Sequence, residues 1–245
     1  MKKRNALKFG LLSLAVLVWA TVAPSASAAT VGELSIGNCS GGGVTVTITL
    51  IDWLPASQCL QAGTPTLVTS GMAPFTLTNT SFGTINDLAS PPPAGFAGFM
   101  TFGSINLDLV TLGPGTVPDC GSNPGLNNSC SILLPDSSIS PFILMQDNGG
   151  TAVTLFASGT TLDTSDNILS HWSGSFTTQL NTGTVGGVFH DYSPAGISST
   201  ILGGGSITST YSGTFDITAV PEPVSMALIG GGLIALAALK RRKRV

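Results

Sequence analysis

The chain has 245 residues, 9 of them basic and 12 acidic, for a formal net charge of −3. That small number conceals a separation: every Lys and Arg sits at one of the two ends, and the stretch from Phe9 to Leu239 carries all the acidic residues. A body of this kind cannot neutralise phosphates, which excludes a nucleic-acid partner and electrostatic binding to an anionic lipid surface.

Lys2, Lys3, Arg4 and Lys8 form a positive opening, followed by the apolar run Phe9 to Ala20. Pro24 breaks the run, and Ala26-Ser27-Ala28 supplies small residues at a cleavage site, with the cut before Ala29. This is the three-part layout of a signal peptide over residues 1–28, and its apolar run is short for a membrane span. The layout implies the export machinery as a partner and places residues 29–219 outside the cytoplasm.

Within that exported stretch the main signal is period-two alternation, the mark of half-buried strands. Val44 to Leu50 alternates branched apolar residues with Thr and reads as one strand; Phe75–Thr78 and Ile105–Leu109 repeat the pattern. Further strands are expected at Phe142–Met145, Val153–Ala157, His171–Leu180 and Ser206–Thr218. Gly, Pro, Asn and Asp bound each of them, as in Gly41-Gly42-Gly43 and Gly203-Gly204-Gly205. Pro91-Pro92-Pro93 reads as a stiff loop, and Gly113 to Asn128 as a second loop. No stretch between the two ends shows capped helical spacing. The expectation is therefore an all-β body, an antiparallel sandwich or jelly roll, between an N-terminal signal helix and a C-terminal transmembrane helix. Trp172-Ser173-Gly174-Ser175-Phe176 and Tyr211-Ser212-Gly213-Thr214-Phe215 share one design and suggest neighbouring strands.

Cys39, Cys59, Cys120 and Cys130 all lie in the exported part, and an even count in an oxidising compartment reads as two disulfides. Three connectivities are open; proximity favours Cys39–Cys59 with Cys120–Cys130. No CxxC spacing points to a metal site.

At the far end, Pro221-Glu222-Pro223 precedes the sixteen-residue stretch Val224 to Leu239, and Lys240, Arg241, Arg242, Lys243 and Arg244 follow as a stop-transfer cluster. The stretch is marginal against the roughly 20 residues that a bilayer core requires. Its basic tip stays cytoplasmic, leaving the body outside. In this order of parts, residues 220–245 resemble the PEP-CTERM sorting signal of Gram-negative, exopolysaccharide-producing bacteria. The resemblance implies that an exosortase recognises Pro221, Glu222 and Pro223 and removes the tail. The product would pass from an inner-membrane-anchored precursor to the cell surface or extracellular matrix, with exopolysaccharide as a further partner.

Chemistry is sparse. His171 and His190 are the only histidines, and His190-Asp191 lacks a Gly-x-Ser-x-Gly elbow, so a secreted hydrolase is an alternative without a motif. The body has many Asp but a single Glu, Glu33, and their scatter suits turns better than a glycosidase pair. Asp163 to Asn167 and Asp147-Asn148-Gly149 are oxygen-rich turns that could hold Ca²⁺ without matching an EF-hand; no other cofactor and no catalytic residue is indicated. Trp53, Trp172 and Tyr211 would serve a carbohydrate-binding module if exposed, and the core if not. The leading expectation is a non-enzymatic exported structural or interaction protein.

Overall fold

The computed structural model describes residues 30–54, 59–62, 81–89, 95–103, 105–116, 118–162, 168–219 and 231–232. Ala29–Val220 form one compact unit. Its first strands are β1 (Thr30–Asn38), β2 (Gly43–Val46), β3 (Leu50–Leu54), β4 (Cys59–Ala62), β5 (Phe82–Ile85), β6 (Leu88–Ala89), β7 (Phe96–Phe102) and β8 (Ile105–Leu112). After a loop come β9 (Ser129–Cys130), β10 (Phe142–Asp147), β11 (Gly150–Leu162), β12 (Ile168–Asn181), β13 (Gly183–Val185) and β14 (Val188–His190). A helix, α1 (Pro194–Leu202), then leads to β15 (Ile207–Ser209) and β16 (Ser212–Ala219). The expected strand Phe75–Thr78, the Pro91–Pro93 loop and the Asp163–Asn167 turn lie outside the described residues.

The protein is mostly β, and its named strands pair antiparallel. A ten-stranded sheet runs β12-β16-β1-β4-β5-β7-β8-β11-β10-β9. One edge of β11 pairs with β12 along its whole length; the other takes β10 in its first half and β8 in its second. The ladder thus returns through β11 to the strand where it started, and the sheet curls as a half-barrel instead of lying flat as one leaf of a sandwich. Register shifts at Phe96/Met100 and Ser158/Gly159 supply local bends of the kind that let a sheet curl. A second sheet, β15-β2-β3-β6, packs against this curve.

Between the two sheets lies the main core. Alternation places Ile105, Leu107 and Leu109 of β8 inward, with Phe99, Trp172, Phe176, Phe215 and Ile217. Trp53 on β3 meets Phe176 with ring centroids 5.0 Å apart and Tyr211 at 4.8 Å, so aromatic contacts tie the two sheets together. A smaller cluster, Ile132, Leu144, Leu180, Ile197 and Ile201 with Cys120 and Cys130, packs under α1.

The two motifs of like design are cross-strand partners. In the β12–β16 ladder Gly174 stands opposite Phe215 and Phe176 opposite Gly213. A Cβ on Gly174 would lie 2.7 Å from Phe215 Cα and 2.8 Å from its Cδ1, and one on Gly213 would lie 2.9 Å from Phe215 Cε2. The glycines leave room for a phenyl ring to fold over bare backbone.

Three expectations need correction. Val44 to Leu50 is not one strand: the chain turns after Val46, and Thr47 N donates to Leu50 O at 2.9 Å. Thr47 Oγ1 accepts from Thr49 N at 3.2 Å and Leu50 N at 3.0 Å, so a threonine that alternation assigns to a strand face instead closes a hairpin. Ser206–Thr218 is likewise two strands, because β15 pairs with β2 in one sheet and β16 with β1 and β12 in the other. The expected absence of a helix fails at α1, where Ser193 Oγ caps Gly196 N at 3.1 Å and Pro194 occupies the first turn. Its inward face needs only Ile197 and Ile201, too sparse a pattern to stand out.

Candidate functional site

The two terminal segments that the sequence singles out flank the β unit along the chain. β16 ends at Ala219, one residue before Val220 and two before Pro221, while β1 begins at Thr30, two residues after Ala28. β1 and β16 are direct partners, with Thr30 opposite Thr218 and Leu34 opposite Phe215. Entry and exit of the β unit are therefore adjacent on one ladder. Ala26, Ala28, Pro221, Glu222, Pro223 and the cluster Lys240, Arg241, Arg242, Lys243 and Arg244 lie outside the described residues, as does the expected span Val224–Leu239 apart from Gly231 and Gly232. Among the described residues no helix is long and apolar enough to cross a membrane.

The cysteines form two disulfides, Cys39–Cys59 and Cys120–Cys130. The first links the end of β1 to β4, its sheet neighbour; the second closes a loop with a sequence separation of 10 residues. Both fit a location outside the cytoplasm.

The aromatic residues that a glycan site would use are interior: Trp53, Trp172 and Tyr211 are 2%, 1% and 5% exposed. Trp172 Nε1 donates to Asp108 O at 3.0 Å. Burial pushes the Tyr211 hydroxyl up to about 12.

The titratable groups are dispersed. His171 is exposed on β12, whereas His190 stacks on Tyr192 with centroids 5.5 Å apart. Among the described residues no group of three or more His, Cys, Asp or Glu gathers as a metal site would require. With no cation in the body, carboxylates bind backbone N–H groups. Asp87 Oδ1 accepts from Trp53 N at 2.7 Å, Asp108 Oδ1 from Gly98 N at 2.6 Å, and Asp191 Oδ1 from Ser193 N at 3.0 Å. Asp147-Asn148-Gly149 forms the β10–β11 hairpin turn, with Asp147 opposite Gly150 and Gly149 at φ 106°. Asp136 is held below the usual carboxylate range, first by the Ser138 hydroxyl and then by the Ser138 backbone N–H.

Outside, hydroxyls take the place of charge. Thr45 and Thr208 pair across strands at 2.8 Å, Thr111 and Ser158 at 2.5 Å, and Thr177 and Ser212 at 3.3 Å.

Comparison with known proteins gives one match. Residues 219–243 fit the family model described as the PEP-CTERM protein-sorting motif. No curated protein and no solved structure matches the chain. The matched segment begins at the last residue of β16 and includes the proline pair, the apolar stretch and most of the basic tip. The chain thus carries, directly after its last β-strand, a C-terminal PEP-CTERM protein-sorting motif, which implies an exported, membrane-anchored protein processed by an exosortase.

Proposed function

We propose that the protein is a non-enzymatic component of the cell surface or extracellular matrix of a Gram-negative bacterium. Its C-terminus serves only to deliver a disulfide-stapled β body. The observation that carries this reading is the sorting motif at residues 219–243. In the proposed sequence, residues 1–28 direct export and Val224–Leu239 holds the precursor in the inner membrane. The exosortase then engages Pro221, Glu222 and Pro223, two prolines that cannot continue a helix and so keep the segment open to an enzyme. Cross-strand hydroxyl pairs on the surface suit a hydrated, uncharged polymer such as an exopolysaccharide. A structural role also accords with the carboxylates of Asp87, Asp108 and Asp191 being bound to backbone N–H groups.

The test uses the full chain with a C-terminal tag, co-expressed with a cognate exosortase, with and without deletion of residues 221–223. The reading predicts tag loss and release of the body for the intact chain, and a tagged, membrane-bound product for the deletion. Equal tag loss in both would defeat it.

A further inference from the structure

Four neighbouring strands of the large sheet, β11, β12, β16 and β1, alternate between a core face and a solvent face. Leu155, Phe176, Phe215 and Leu34 point into the core. On the solvent face, the registers set Phe156 opposite Ser175, Ser175 opposite Thr214, and Thr214 opposite Ser35, so one row of side chains crosses all four strands. The row on one side of it is Thr154, Thr177 and Ser212; on the other it is Ser158, Ser173 and Asp216. Apart from Phe156 and Asp216, every one of these residues bears a hydroxyl.

Phe156 is out of keeping with that field. Its ring is 45% exposed, whereas Phe176 and Phe215 on the neighbouring strands are buried. Leaving a phenyl ring in water forfeits the free energy that its burial would give. A hydroxyl both donates and accepts, so the field around the ring can answer a hydroxyl partner in either sense. Rows step from strand to strand by about 4.8 Å, close to the length of one sugar ring in an extended chain. A sugar ring has a C–H face that lies flat on a phenyl ring and a rim of hydroxyls, which is the complement of this face.

Other partners fit it poorly. One exposed ring falls far short of the roughly 800 Å² per partner that a stable protein interface buries. A lipid surface calls for a broad apolar face or for cations, and no Lys or Arg lies between Phe9 and Leu239. At the border of the field Asp216 stands opposite Glu33, and two carboxylates without a counter-charge repel a polyanion.

We infer that this face binds an uncharged polysaccharide laid across the strands, with one sugar ring on Phe156 and the following ones hydrogen-bonded to Ser175 and Thr214. The inference rests on the matrix role proposed above and names the surface that serves it.

The test is affinity electrophoresis of the full chain in mild detergent, so that the result does not depend on processing by the exosortase. Native gels contain hydroxyethylcellulose, dextran or galactomannan as neutral polymers, alginate as the polyanion, or no polymer. The expected result is retardation by at least one neutral polymer and none by alginate. F156A should weaken that binding about tenfold, the worth of one aromatic contact. S175E, which sets a carboxylate beside the ring, should abolish it. F82A removes a ring that is 65% exposed on β5, outside the four strands, and should bind as wild type. The inference is overturned if none of the three neutral polymers retards the chain, if F156A or S175E binds as wild type, if F82A loses as much as F156A, or if alginate binds as well as the neutral polymers. Co-expressed with the exosortase, F156A should lose a C-terminal tag as wild type does; failure of tag loss in wild type itself would defeat the sorting reading and leave the gel result standing.

Discussion

Single residues show how a body without cations holds together. Its aspartates serve as acceptors for backbone N–H groups, and its glycines make room for rings. Gly174 and Gly213 differ in what a methyl group would strike. At Gly174 it would meet the backbone of Thr214 and Phe215, whereas at Gly213 the nearest atoms belong to the Phe215 and Ile36 side chains, which can shift. Chemical denaturation should therefore show G174A losing about 2–3 kcal/mol, and G213A clearly less. Tyr211 gives a pH signature. Its hydroxyl titrates near 10 when exposed and near 12 when buried, so its contribution to stability is complete below pH 10 and fades as pH rises toward 12. The melting temperature of wild type should fall relative to that of Y211F as pH rises through that window; parallel curves would contradict the assignment.

At the scale of elements, the sequence is legible where one rule acts alone. Alternation at Ile105–Leu109, Phe142–Met145 and Val153–Ala157 falls inside β8, β10 and β11. It misleads where a side chain competes for the backbone, as Thr47 does, or where a strand leaves one sheet for another, as at Thr210-Tyr211. The helix α1 escaped because two isoleucines and a Ser-Pro start suffice to seat nine residues on the small core cluster. Curling of the large sheet was not legible, since strand order and bulges depend on long-range pairing. S193A should cost about 1 kcal/mol through the lost cap. Replacing both Cys39 and Cys59 by Ser should cost about 2–4 kcal/mol, because the bridge holds the β1–β4 pair across a long chain loop. Thermal melts under oxidising conditions check both.

The whole molecule is organised around its two ends. β1 pairs with β4 only over Ile36–Asn38, while Thr30–Gly37 relies on β16. The first exported strand thus waits for the last one, and the sheet closes only when the chain has been exported through Ala219. A chain truncated before Ser212 should not accumulate as a protease-resistant body, because β1 and β12 would keep open edges. The sorting motif follows immediately on that closing strand, which makes the processed C-terminus the most informative position in the protein. The most direct measurement is the intact mass of the protein released from cells that express the full chain with its exosortase. The account predicts a species that begins at Ala29, ends within a few residues of Pro221-Glu222-Pro223 and carries both disulfides. A released or surface-bound species whose mass runs through to Val245 would contradict it.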